Sequence, residues 1–267
     1  MNIQSTLSLR TGARIPLFGL GTWELTDDTA GAVAYALELG YRMIDTACDY
    51  GSQPGIGVAI RRGIVDRVDL YIVAKVEETD DAYEATREYL GEIGIEYADL
   101  VLIHRPPEEG VGVPLWRGLQ RARKEQLTRD IGVSNYSIEQ MEELERESGE
   151  LPVVNQIEWT PFGHSERMLA FCQRRGVLIQ AYSPLTRAER LEDPKLLAIA
   201  RRCGKTPAQV LIRWNLQCGT VPLPKANRKE HLLENIDVFD FELAGADMSA
   251  LNDLNERYSA LGSLLYE

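Results

Sequence analysis

Three histidines and four cysteines in 267 residues leave few ligands for a metal, and Cys48, Cys172, Cys203 and Cys218 form no CxxC pair. A zinc-ribbon set and a disulfide framework are thereby excluded, and no bound metal is expected. The thiols read as half-buried filler in a protein of a reducing compartment, the cytoplasm. No apolar run approaches the roughly 18 residues that a membrane span needs. Nor does Met1–Arg14 hold the continuous apolar segment of a signal peptide, roughly 7–15 residues long. Positive charge is scarce too, with 29 basic residues against 41 acidic ones and a net charge of −12. That disfavours nucleic acid and anionic membrane as partners, although a local phosphate pocket needs only a few cations and backbone N–H groups. No low-complexity tract or Pro/Gly/Ser linker divides the chain, so 1–267 is expected to form a single domain.

What is present is a recurring short apolar run followed by an amphipathic stretch. Eight runs can be counted: Ile15–Trp23, Met43–Ala47, Leu70–Val76, Leu100–His104, Ile131–Asn135, Val153–Trp159, Leu178–Ser183 and Val221–Ala226. Their continuity, without strict alternation, suits parallel strands buried on both faces. The stretches between them read as helices. Asp27–Leu39 carries Ala30, Val33, Ala34 and Leu37 on one face and stops at Gly40. Asp80–Leu90 and Ser137–Glu145 open on capping residues, and Ser137 with Gln140 has the form of a capping box. Thr206-Pro207 opens a helix through Gln217. Two helical stretches, Asp193–Arg202 and Asp247–Asn255, exceed strict alternation, and Ser5–Leu17 looks like a hairpin ahead of the first strand. The expected fold is a (β/α)8 TIM barrel with an N-terminal hairpin and two extra helices. Gly19-Leu-Gly21 lacks the third glycine of a dinucleotide-binding turn, which argues against an open doubly wound sheet.

In such barrels chemistry sits where strands end. Asp45 lies within the second run, with Tyr50 in the loop beyond it. Lys75 interrupts an apolar strand, in a chain with 6 lysines against 23 arginines. His104 ends the fourth run. Asp45 and Lys75, on adjacent strands, could neutralise each other where neither could stay charged alone. A phenol with an ordinary pKa of about 10 is a poor acid at neutral pH. A neighbouring ammonium lowers it by stabilising the phenolate, a carboxylate fixes the ammonium, and a neutral histidine can hold a substrate oxygen against the phenol. Reduction of a carbonyl group needs this set, with hydride arriving from a cofactor. Singly, each residue has a plain structural role available: a loop aromatic, an ion pair, a core histidine.

Several motifs resemble those of the aldo-keto reductases: Gly19-Leu-Gly-Thr-Trp23, Gly40–Gly51 around Asp45 and Tyr50, and Leu100–Pro106 around His104. So do Ile131–Asn135, Val154–Glu158, Ala181–Leu185, Lys205–Gln209, and Leu223-Pro-Lys225 through Asn235. The chain looks most like short bacterial members acting on sugars and small carbonyls. The resemblance implies Tyr50 as general acid, Lys75 as modulator of its pKa, Asp45 as partner of Lys75 and His104 as the orienting group. It also implies NADPH, with NADH possible. Ser134, Asn135 and Gln156 would hold the carboxamide and Tyr182 would stack on the nicotinamide. Ser183 and Leu185 would follow the pyrophosphate. Lys225, Ala226, Asn227, Arg228, His231, Glu234 and Asn235 would surround the adenosine end.

Departures from the family pattern shape the remaining expectations. Ala226 and His231 stand where the family usually has serine and arginine, which weakens a preference for NADPH over NADH. Arg105 follows His104 where tryptophan is common, and Glu77 takes a frequently aromatic place. Arg105, Glu77 and Asp49, with Trp23, are expected to line a substrate pocket suited to small polar carbonyls. Arg105 and Glu77 could instead pair with each other at the rim. Short loops and a brief tail beyond Glu256 suggest an open pocket. The expected activity is NAD(P)H-dependent reduction of aldehydes or ketones by a monomer or weak oligomer. Alternatives are the reverse alcohol or sugar dehydrogenase, or a low-turnover cofactor-binding regulatory protein. Hydrolytic or metal chemistry is disfavoured by the lack of a histidine-rich ligand set.

Overall fold

The computed structural model describes residues 1–25, 27–79 and 81–266. The apolar runs become one sheet of eight parallel strands in chain order: β3 (Leu20–Gly21), β4 (Met43–Asp45), β5 (Tyr71–Val76), β6 (Ala98–Ile103), β7 (Thr128–Ser134), β8 (Val154–Glu158), β9 (Leu178–Tyr182) and β10 (Val221–Pro222). Ahead of it, β1 (Thr6–Ser8) and β2 (Arg14–Pro16) pair antiparallel, with Leu7 opposite Ile15. The run expected as one strand, Ile15–Trp23, is therefore divided. Its first residues finish the hairpin, and only Leu20–Gly21 joins the barrel.

Two glycines account for how the sheet closes. Gly19 N–H donates to Pro222 O and Gly21 N–H to Pro224 O, both at 3.2 Å, which joins the first strand to the segment of the last. A Cβ on Gly21 would sit 2.9 Å from the Leu223 carbonyl oxygen, and one on Gly19 would sit 2.7 Å from Leu223 Cδ2. The Gly-x-Gly pair thus serves close approach of two backbones at the seam.

Outside the strands lie α1 (Thr29–Glu38), α2 (Gln53–Arg61), α3 (Ala82–Ile93), α4 (Val113–Lys124), α5 (Ile138–Ser148), α6 (Glu166–Arg175), α7 (Pro194–Cys203), α8 (Pro207–Cys218), α9 (Lys229–Ile236) and α10 (Gly245–Asn252). Each strand from β3 onward is followed by a helix. The expected additional helices are α7, placed before α8, and α10, placed after α9. Asp80, where the sequence starts α3, is outside the described residues; the N-cap is Asp81, which accepts from Tyr83 N–H and Glu84 N–H. The Ser137/Gln140 box is formed in both directions, and so is Thr206/Gln209 ahead of α8. These caps satisfy N–H groups that the first helical turn leaves without partners. Among the described residues no helix is long and apolar enough to cross a membrane.

β5 and β6 are buried along their whole length. At the end of the barrel where β6 begins, Asp99 accepts from Ile72 N–H at 2.9 Å and pairs with Arg67 at 2.9 Å and Arg129 at 3.0 Å. The opposite end, where strands finish, carries the cleft.

Candidate active site

Asp45 is the last residue of β4 and Lys75 the fifth of β5, so parallel pairing brings them side by side on the barrel interior. Lys75 Nζ donates to Asp45 Oδ1 at 2.7 Å, with both groups almost wholly buried. The second Asp45 oxygen accepts from Gln156 Nε2 at 2.8 Å, so no lone carboxylate is left in the interior. From the same ammonium, Tyr50 OH lies at 3.4 Å and Thr46 O at 3.3 Å. The chain therefore runs Gln156, Asp45, Lys75, Tyr50. Burial, the largest single influence, would lower the Lys75 pKa, but the charges and hydrogen bonds of Asp45 and Tyr50 together outweigh it and the value rises, keeping an ammonium beside the phenol.

The phenol differs from the expectation. Burial raises Tyr50 above its ordinary value, and Asp45 adds to this while Lys75 pulls against it. The net shift is upward because burial outweighs the pull of the lysine, which its own carboxylate partner partly offsets. The phenol consequently keeps its proton at neutral pH, and the ammonium is placed to stabilise the negative charge that would grow as that proton leaves.

His104 follows β6, and its ring stands 6.0 Å from that of Tyr50 at 75°. Its Nδ1 lies 2.6 Å from Glu77 Oε1. Cys48 Sγ donates to the same oxygen at 3.1 Å. Burial alone would raise the Glu77 carboxyl, but the bonds to His104 and Cys48 prevail and hold it at about 2. Among the described residues the one close group of metal-type ligands is Cys48, Asp49 and Glu77. Burial pushes the Cys48 thiol up to about 12.

A cleft of about 700 Å³ opens above these groups. It is lined by Asp45, Tyr50 and His104, by Trp23, Asp49 and Arg105, by Ser134, Asn135, Gln156, Tyr182, Ser183 and Leu185, and by Lys225, His231, Glu234 and Asn235. Ser134 Oγ donates to Gln156 O at 2.7 Å, Asn135 Nδ2 to His104 O at 3.1 Å, and Tyr182 OH to Asn135 Oδ1 at 2.8 Å. Asn135 and Ser183, with φ of 65° and 46°, hold left-handed backbone unusual outside glycine. Such conformations persist only where surrounding bonds fix them.

Some expected residues lie elsewhere. Glu77 does not line the cleft and does not pair with Arg105; it lies against His104. Ala226 is buried in the core. Asn227 and Arg228 line a neighbouring cavity with Asp28, Tyr35 and Lys229, although Arg228 Nη2 reaches His231 Nε2 at 3.0 Å.

Other residues at the cleft were not foreseen. Thr186–Ala188 form a left-handed turn after β9, and Arg187 in it stacks over Trp23, 4.2 Å from the ring centroid. Glu158, ending β8, accepts from Ser259 Oγ at 2.5 Å and Ala260 N–H at 2.8 Å. This anchors the tail, so Leu261 and Leu265 reach the mouth of the cleft. The apolar spacing of Leu261, Leu264, Leu265 and Tyr266 was the available signal.

The sequence matches the aldo/keto reductase family over residues 17–256. The chain belongs to that family. It is 38% identical to an uncharacterized oxidoreductase, YtbE, of Bacillus subtilis (strain 168), with 96% of this chain and 94% of the relative covered. With glyoxal reductase of the same organism it shares 35% identity over the same fractions of each chain. The structure resembles that of a Bombyx mori aldo-keto reductase in complex with NADP, with a TM-score of 0.89 at 33% identity, covering 96% of this chain and 94% of the other. The chain combines a buried Asp45–Lys75–Tyr50 array with a histidine bound through Nδ1 to a carboxylate.

Proposed function

We propose that this chain is an NADPH-dependent reductase of aldehydes or ketones, acting on small polar carbonyl compounds. The observation that carries the reading is the Asp45–Lys75–Tyr50 array, which aims a protonated phenol into a cleft beside His104. NADPH, when bound, supplies hydride to the carbonyl carbon and leaves as NADP+. The residues present fit that group. Amide and hydroxyl groups of Ser134, Asn135 and Gln156 converge near Tyr50, as a carboxamide requires, and Tyr182 offers a ring face. At the far end Lys225 and His231 can meet a phosphate, with Glu234 and Asn235 available to polar ring atoms. The NADP of the Bombyx mori relative and the activity named for glyoxal reductase support the same reading.

Tyr50 gives its proton to the carbonyl oxygen as the carbon accepts hydride. Lys75 stabilises the phenolate left behind, and Asp45 keeps Lys75 charged and in place. Selectivity rests on Arg105, an exposed guanidinium lining the cleft with no ion-pair partner among the described residues. Such a group binds a carboxylate or a diol through paired N–H donors. Asp49 supplies acceptors for hydroxyls; Glu77, engaged with His104, does not. The test is NADPH consumption over a panel of α-dicarbonyls, keto sugars, keto acids and bulky apolar ketones. Faster turnover of the polar compounds is expected, with Arg105→Trp reversing the order. A wild type that prefers bulky ketones, unaltered by Arg105→Trp, contradicts the polar pocket. No NADPH consumption with any carbonyl contradicts the reductase itself.

A further inference from the structure

His104 meets a carboxylate on one ring nitrogen. Oε1 of Glu77 lies 2.6 Å from Nδ1, and among the described residues it is the one hydrogen-bond partner found for the ring. The ring is 9% exposed and the carboxylate 25%, so the contact is partly withdrawn from water. A carboxylate has only lone pairs to offer, so the shared proton sits on Nδ1. Nε2 is then the nitrogen left for a molecule in the cleft.

We propose that Glu77 is a positioning residue that fixes His104 as the Nδ1–H tautomer, so that Nε2 accepts a hydrogen bond when the ring is neutral and donates one only after taking up a second proton. The proposal rests on the reductase reading. A carbonyl oxygen can only accept, so in reduction it gains a second donor beside Tyr50 when His104 is an imidazolium. An alcohol hydroxyl can donate, so in the reverse direction the neutral ring is the competent form. By holding the proton on Nδ1, Glu77 decides which of these two roles the neutral ring can take.

The surroundings of His104 make Glu77 the charge that decides. Behind Tyr50, Asp45 and Lys75 largely neutralise each other. Cys48, on the turn after β4, is a neutral thiol bonded to Glu77. Tyr182, at the end of β9, is held protonated by burial. Asp49 lines the open cleft, and Glu78 adds a second carboxyl beside that of Glu77. Arg105, next to His104, opposes a second positive charge. Asn135 contributes an uncharged amide to the His104 carbonyl.

Two measurements test the proposal. Nitrogen-15 NMR of the imidazole groups in the intact protein, with the His104 signals identified by their loss in His104→Asn, should find the neutral ring protonated on Nδ1. A neutral ring protonated on Nε2 overturns the proposal without any variant of Glu77. In the second, kcat/KM for carbonyl reduction is followed against pH in the wild type and in Glu77→Gln. The amide keeps the shape and an acceptor oxygen but removes the charge. An amide can donate as well as accept, so the ring is free to take either tautomer and the Glu77→Gln profile should differ in shape and not only in height. Parallel profiles, differing only in height, would mean that Glu77 merely packs against the ring and would overturn the proposal. Should no carbonyl be reduced at all, the reductase reading fails by itself and the tautomer still decides the role of Glu77.

Discussion

The interior of this barrel keeps a lysine charged because three neighbours accept its protons. Asp45 takes one directly, Thr46 O another, and Tyr50 OH stands where the third points. Replacing Lys75 with Met removes the only cation beside the phenol and leaves Asp45 bonded to Gln156 alone. Turnover should fall by at least about 10²-fold, the lower end of what acid catalysis contributes. Stability should fall as well, by about 3–5 kcal/mol, since one half of a buried pair is left uncompensated. Chemical denaturation and steady-state kinetics read the two effects separately. A Lys75→Met protein that is destabilised yet turns over at the wild-type rate would reduce the pair to a structural one. The paired lysine has its pKa raised, so its stabilisation is complete below the ordinary lysine value and fades only as pH climbs through the higher folded one. Glu77 behaves in the opposite sense. Its carboxyl is held at about 2, so its contribution is present above the ordinary carboxylate range and disappears as pH falls toward 2. Glu77→Gln should therefore flatten the acid side of a stability-versus-pH curve while leaving its alkaline side in place.

At the scale of elements, legibility followed from whether the signal was local. Helix α8 was readable because Thr206, Pro207 and Gln209 specify a start that no distant contact needs to support. Thr206→Ala should cost about 1 kcal/mol, the usual worth of an N-cap, seen as a lower thermal midpoint. The seam was not readable in the same way. Whether Gly21 marks a phosphate turn or a backbone contact depends on Leu223, two hundred residues away, and only the closed barrel brings them together. Gly21→Ala should force that carbonyl aside and lower stability by about 1–3 kcal/mol, as overpacking does. A neutral Gly21→Ala would mean the seam is loose. The same limit explains Glu77, whose spacing suggested a pocket wall; its neighbour His104 arrives from the next strand and turns it toward Nδ1. The tail escaped notice because its anchor, Glu158, lies in a strand about a hundred residues earlier.

Across the molecule, the two barrel ends divide their tasks. Where strands begin, Asp99 is held between two arginines, and the end where strands finish gathers Tyr50, Lys75, Asp45 and His104 from β4, β5 and β6 and the segments that follow them. Asp45 and Lys75, for which we propose catalytic roles with Tyr50 and His104, stood out because a charged residue in an apolar strand is costly unless something pairs with it or uses it. The cofactor end was legible only through family motifs, since Lys225 or Asn235 alone looks like any polar surface residue. Asp99→Ala should lower stability by about 3–5 kcal/mol by stranding its N–H and guanidinium partners, with kcat and KM unchanged once the protein is folded. The central claim is that Tyr50 donates the proton that completes carbonyl reduction. Single-turnover reduction of an unactivated aldehyde by NADPH-loaded wild type and Tyr50→Phe, with NADPH affinity measured alongside by fluorescence, tests it most directly. The account predicts a rate lower by about 10²–10⁴-fold at unchanged NADPH affinity. A Tyr50→Phe protein that reduces the aldehyde at near the wild-type rate would contradict it.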